Sequence, residues 1–116
     1  MSKQLNWHTV ALSVNEIAFN QQGMATITVN GKKITLANWQ NKLYAFAHKC
    51  PHAGGIMSQG FIDALGNVVC PLHRYKFCME NGRNVTGEGY KLITYPIQIN
   101  NNGIQIGISS QNWFGF

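Results

Sequence analysis

The chain has 116 residues, of which nine are Lys or Arg and four are Asp or Glu. Those acids, Glu16, Asp63, Glu80 and Glu88, are scattered, so a two-carboxylate hydrolase site or an EF-hand calcium loop has almost nothing to be built from. Three Cys and four His stand against that scarcity, and metal or redox chemistry should run through sulfur and imidazole.

The length fits one domain with a core of its own, and 30 residues of Leu, Ile, Val and Phe argue against global disorder. A net charge of +5 favours an acidic partner, but the bases are dispersed, so no nucleic-acid partner is expected. Residues 1–7 lack the continuous apolar core of a signal peptide. Thr26 to Val29, the turn pair Asn30-Gly31, and Lys32 to Leu36 read as a hairpin. A second turn over Asn38–Asn41 leads into a strand from Lys42 to Ala47. From His48 to Gly66 the chain is rich in Gly, Ala and Ser without alternation, and irregular backbone of that length is usually functional. Val68-Val69 precedes Cys70, and Tyr75 to Met79 ends at Asn81-Gly82. Lys91–Ile99 and Ile104–Ser109 read as strands flanking an Asn-rich turn that closes on Gly103. No window carries a capped 3.6-residue period, so the expected fold is all-β, a barrel or sandwich of short strands. The last 25 residues are uncharged, but Pro96 and Asn100–Asn102 rule against a membrane span. The expected setting is a reducing cytoplasm, where Cys serves metals or catalysis.

The dense Cys and His cluster consists of Cys50-Pro51-His52 and, 17 residues later, Cys70-Pro71-Leu72-His73. Each element offers one thiolate and one imidazole, and a Pro after each Cys stiffens the turn. Structural zinc sites space their close pairs by two to four residues, so the single-residue gap of Cys50-x-His52 is awkward for one ion. Ligands at i and i+2 lie up to about 7 Å apart at Cα, which suits two neighbouring metal ions. A structural zinc module for protein contact remains the alternative from another class.

At these residues the chain resembles the Rieske [2Fe–2S] family, most strongly from Cys50 to Gly82 and more loosely elsewhere. The resemblance implies one [2Fe–2S] cluster, with Cys50 and Cys70 on one iron and His52 and His73 on the other. It implies stacked antiparallel sheets: one Rieske domain over residues 1–116, with a cluster-binding subdomain at about 46–84 inserted in a β base of 1–45 and 85–116. Tyr90-x-Leu92-x-x-Tyr95-Pro96 looks like the family's return strand into that base. Mixed ligation has a physical reason. Two ferric ions, two sulfides and four thiolates sum formally to −2, whereas two thiolates and two imidazoles bring the sum to zero, and a neutral cluster accepts an electron more readily.

High-potential family members join the two loops by a disulfide, but the corresponding positions here hold Gly55 and Leu72. Where those members place a hydroxyl for a bridging sulfide, this chain has Tyr75, whose ring is expected to turn elsewhere. Fewer donors to sulfur imply a low-potential cluster, below roughly 0 mV. The family's Pro-rich loop over the cluster is replaced by Val85–Gly89 without Pro, which predicts a looser loop.

Cys78 reads as a buried inert thiol, His48 as a loop or strand-end residue and His8 as surface. Lys49, Arg74 and Lys76 flank the ligands, either as a solvated rim or as a face that steers an acidic partner. The aromatic tail Trp113-Phe114-Gly115-Phe116 is expected to fold back on its own domain. The resemblance implies a soluble one-electron carrier between a flavoprotein reductase and a terminal oxygenase. Its exit would be the edges of His52 and His73, with Ala53, Gly54, Gly55 and Leu72 as a small contact face. No catalytic residue is expected, because an oxygenase needs a second iron site of two His and a carboxylate. The alternative within the redox class is a small subunit of an NADH-dependent nitrite reductase.

Overall fold

The Asn30-Gly31 pair does what its sequence asks. In the computed structural model, which describes residues 5–109, both residues adopt positive φ, 50° and 79°, and join β2 (Met24–Val29) to β3 (Lys32–Trp39) in register. Gln40 and Asn41, with φ of 52° and 62°, repeat the device between β3 and β4 (Lys42–Ala47). β1 (Leu5–Ala11) precedes them, and β5 (Phe61–Ile62), β6 (Asn67–Val69), β7 (Lys76–Cys78), β8 (Thr94–Tyr95), β9 (Ile97–Asn100) and β10 (Gly103–Ser109) follow. The only helical pieces among the described residues are two single 3-10 turns, at Val14–Glu16 and Met57–Gln59. The all-β expectation therefore holds.

The strands form three antiparallel sheets, ordered β1-β10-β9, β2-β3-β4-β8 and β5-β6-β7. The side-chain period of two explains how they stack. On β3 and β4, Ile34, Leu36 and Ala45 join Val29, Tyr95 and Ile106 in one core. Their alternates Ala37 and Phe46 join Met24, Met57, Val68, Phe77, Met79 and Leu92 in a second. The middle sheet is thus buried on both faces, which is why Ile34 to Leu36 run apolar or neutral without a solvent-facing residue. The first core faces the β1-β10-β9 sheet, and the second faces β5-β6-β7 and the two loops that hold Cys50 and Cys70.

Two departures from the sequence reading have local causes. The stretch Lys91–Ile99 is not one strand. Pro96 has no N–H for a ladder, and the chain changes sheets there, β8 pairing with β4 and β9 with β10. The segment at 61–62, inside the supposedly irregular region, forms the two-residue strand β5, too short to show alternation.

Candidate metal centre

Two tight loops carry the Cys and His pairs. The first leaves β4 and closes when the Cys50 N–H donates to the Gly55 carbonyl (2.8 Å) and the Gly54 N–H to the Cys50 carbonyl (3.0 Å). The Met57 N–H then donates to the His48 carbonyl (2.9 Å) and ties the loop back to its entry. The second loop leaves β6, and its Cys70 N–H donates to the Tyr75 carbonyl (2.9 Å). To reverse so sharply, His73 and Arg74 both take left-handed backbone, φ 61° and 59°. For non-glycine residues this costs about 1–3 kcal/mol each and is met mainly at functional turns.

The loops bring the four candidate residues together as two pairs. Cys50 and Cys70 are buried, and their side chains are hydrogen-bonding neighbours. Burial pushes the Cys70 thiol up to about 11 and the nearby Cys50 adds to this, while the Leu72 N–H on the sulfur works in the opposite direction. His73 Nδ1 lies 3.4 Å from His52 Nε2, with the rings edge to face at 4.9 Å. His73 is exposed and His52 half-buried. His52 Nδ1 is itself buried without a hydrogen-bond partner, a state that costs about 1–3 kcal/mol unless something binds it. Gly55 leaves the space: a Cβ there would lie 2.9 Å from Cys70 Sγ and 3.1 Å from Leu72 Cγ.

This donor set fits a [2Fe–2S] cluster of mixed ligation, with a buried sulfur pair and a more exposed imidazole pair. It does not fit a single zinc ion. Among the described residues no three Cys, His, Asp or Glu side chains converge on one point, whereas a zinc tetrahedron needs four ligands on one centre.

Tyr75 does not turn away. Its ring stacks on His52 at 4.0 Å with 30° between planes, and Tyr90 meets the same imidazole edge-on at 5.6 Å. Burial and the Glu88 charge push the Tyr75 hydroxyl above its ordinary range, so it stays protonated. The loop Val85–Gly89 is not loose either. Asn84 Nδ2 donates to the Lys76 carbonyl (3.1 Å) and to Glu88 Oε1 (2.9 Å), while the Glu88 N–H donates to Asn84 Oδ1 (2.6 Å). Thr86 Oγ1 donates to the same carboxylate, and these bonds hold Glu88 below the usual carboxylate range. Side-chain hydrogen bonds do here what proline would do by stiffness. Both tyrosines are visible in the sequence, but nothing local reports that their rings meet His52.

The remaining candidates are sorted by burial and pairing. Ala53, Gly54 and Leu72 are exposed, but Gly55 is buried against Cys70 and is no part of a contact face. Lys49 and Arg74 are exposed, whereas Lys76 pairs with Asp63 at 3.7 Å. Cys78 is half-buried on β7 rather than fully buried, with its neighbour Phe77 facing the core. His48 sits at the end of β4, and burial with the charges of Lys33 and Lys49 lowers its pKa. His8 is half-buried on β1. The aromatic tail at Trp113–Phe116 lies outside the described residues.

The Rieske [2Fe-2S] domain family matches residues 6–96, and the chain belongs to that family. Its cofactor is one Rieske-type [2Fe–2S] cluster. The ferredoxin component of a naphthalene 1,2-dioxygenase system from Pseudomonas aeruginosa is 32% identical over 84 residues, covering 72% of this chain and 80% of that protein. Among solved structures, the ferredoxin of carbazole 1,9a-dioxygenase from Nocardioides aromaticivorans IC177 superposes with a TM-score of 0.73 at 19% identity, covering 86% of this chain and 95% of that one. A Mycobacterium tuberculosis structure described as an NADH-dependent nitrite reductase small subunit superposes with a TM-score of 0.75 at 20% identity, covering 90% and 96%. These two structures share the fold. The sequence relative adds that the chain is of the electron-carrying ferredoxin type, not an oxygenase.

Proposed function

We propose that this chain carries single electrons from a flavoprotein reductase to a terminal oxygenase. Cys50 and Cys70 would hold one iron, and His52 and His73 the other. The observation that carries this reading is the pairing itself: two buried thiols meet side by side, and two imidazoles meet 3.4 Å apart at the more exposed end. The cluster, when bound, supplies one reversible electron. The protein's own residues do the rest. His73 gives an exposed edge, and the Tyr75 and Tyr90 rings lie against His52. The cluster-binding part would span about 46–84 within a single Rieske unit of 1–116. Cytoplasmic residence follows from the need for reduced Cys50 and Cys70 as ligands. No helix among the described residues is long and apolar enough to cross a membrane.

Positions 55 and 72 face each other without sulfur to bridge them, and the position where high-potential members offer a hydroxyl carries Tyr75, whose ring lies on His52. These features support a potential below roughly 0 mV. The test is iron and sulfide assay, visible absorption and film voltammetry of anaerobically purified protein, with His52→Cys as the variant. Red-brown protein with a potential below roughly 0 mV, lowered further or lost in the variant, is expected. Colourless protein with stoichiometric zinc sinks the reading, and a potential well above zero sinks its low-potential part. A nitrite reductase small subunit is the second reading, favoured by the shared fold. Identification of the protein that reoxidises the reduced carrier separates the two.

A further inference from the structure

Lys33 is the second residue of β3, and the Ile34–Ala47 pairing sets it beside the chain leaving β4. That chain runs through His48 and Lys49 directly into Cys50. Ile93 lies alongside, its carbonyl accepting the Ala47 N–H at 2.9 Å. Three segments distant in sequence therefore line one open cleft of about 320 Å³, bounded by Lys32, Lys33, His48, Lys49, Ile93 and Tyr95.

None of these lysines is ion-paired within the described residues, where the single ion pair joins Lys76 to Asp63. The Glu16 and Glu88 carboxylates are occupied elsewhere, by the Leu12 N–H and by Asn84. The Lys32 ammonium lies over the Tyr95 ring, with Nζ 5.8 Å from the centroid. Ile93 on the same lining is 53% exposed, which adds an apolar patch to the lysines. Such a small patch has the anatomy of a transient protein contact.

We propose that this cleft docks a carboxylate-rich face of a protein redox partner, beside the segment that runs through His48 and Lys49 into the metal loops. The redox character of the partner rests on the electron-carrier reading; the docking surface does not. A second basic cleft, with Arg83 and Lys91, is a weaker candidate because Asn84 on its wall binds the Glu88 carboxylate. Carboxylates fit better than a nucleic acid or an anionic membrane. The bases form one compact cleft, not a stripe along a backbone, and no amphipathic helix is present among the described residues to lie on lipid.

The probe is an octaglutamate peptide titrated into ¹⁵N-labelled holoprotein at about 20 mM and about 200 mM salt, where screening differs several-fold in length. Amide shifts should centre on Lys32, Lys33, Ala47 to Lys49 and Ile93, and should weaken with salt. The triple variants Lys32→Glu, Lys33→Glu, Lys49→Glu and Lys32→Gln, Lys33→Gln, Lys49→Gln should each bind roughly tenfold or more weakly. Arg83→Glu with Lys91→Glu should bind as wild type. Shifts centred elsewhere, or unchanged binding by both triple variants, overturn the proposal. So does tighter binding of a DNA duplex or phosphatidylserine vesicles through the same lysines. Purified wild-type protein that holds no iron and sulfide overturns the carrier reading alone, because the peptide map still reports the cleft.

Discussion

The two cores on either face of the middle sheet are built from different chemistry. One is aliphatic and aromatic: Val29, Ile34, Leu36, Ala45, Tyr95 and Ile106, with Ile17, Phe19 and Ile97 packed against it. The other is rich in sulfur: Met24, Met57, Met79, Cys50 and Cys70 among Phe46, Phe77, Val68 and Leu92. The first is complete as it stands. The second has the candidate ligand thiols Cys50 and Cys70 as part of its wall, so a bound cluster would be a packing component on that side. The sheet β5-β6-β7 should therefore be destabilised more than the β1-β10-β9 side when the cluster is removed.

Removing the metal breaks this asymmetry most strongly. Amides of β5, β6, β7 and the Cys50–Gly55 loop should lose hydrogen-exchange protection by several orders of magnitude, about 4 kcal/mol or more, while β3, β9 and β10 keep theirs. Uniform loss over both halves would show that the cores are one cooperative unit. The apoprotein should also be alkali-sensitive. Cys70 is raised in the folded state from 9.0 to about 11, so the folded form holds its proton more tightly than the unfolded one. That contribution is full below about pH 9 and is lost as pH rises through about 11, readable as a falling denaturation midpoint.

Ile106→Ala attacks the other core. It should cost about 2–5 kcal/mol of stability in urea denaturation, with the visible spectrum of the folded protein unchanged. Gly55→Ala is smaller in energy but aimed at the metal side. Its Cβ, 2.9 Å from Cys70 Sγ, should cost about 1–3 kcal/mol and lower the iron content of purified protein. Full occupancy would mean the loops yield more easily than their hydrogen bonds suggest.

Tyr75→Ala should change folding least. It lets water reach His52 and favours the charged reduced state over the formally neutral oxidised one, so the potential should rise. Tyr75→Phe, which keeps the ring, should stay near wild type, and the His52 proton resonances of the apoprotein should lose their ring-current shift only in the Ala variant.

What could be read from the chain alone was local. Asn30-Gly31 dictates its own hairpin through positive φ, and the Cys-x-His and Cys-x-x-His spacings name donor types before any fold exists. The all-β architecture follows from such short-range rules, and the cluster chemistry from the family resemblance that those spacings carry. Pro96 also carried a readable signal, since a residue without an N–H marks the break between β8 and β9.

Relations between distant residues required the tertiary structure. Tyr75 has no neighbour in sequence that says its ring will lie on His52, 23 positions earlier. Lys49 and Lys76 look alike beside the ligands, yet Asp63 neutralises one and Lys32 and Lys33 gather beside the other. Gly55 reads as a loop glycine and becomes the space beside Cys70 Sγ. Backbone preferences and ligand types act over a few residues, so sequence determines them. Burial, stacking and charge pairing act through space, and only the packed sheets decide which partners meet.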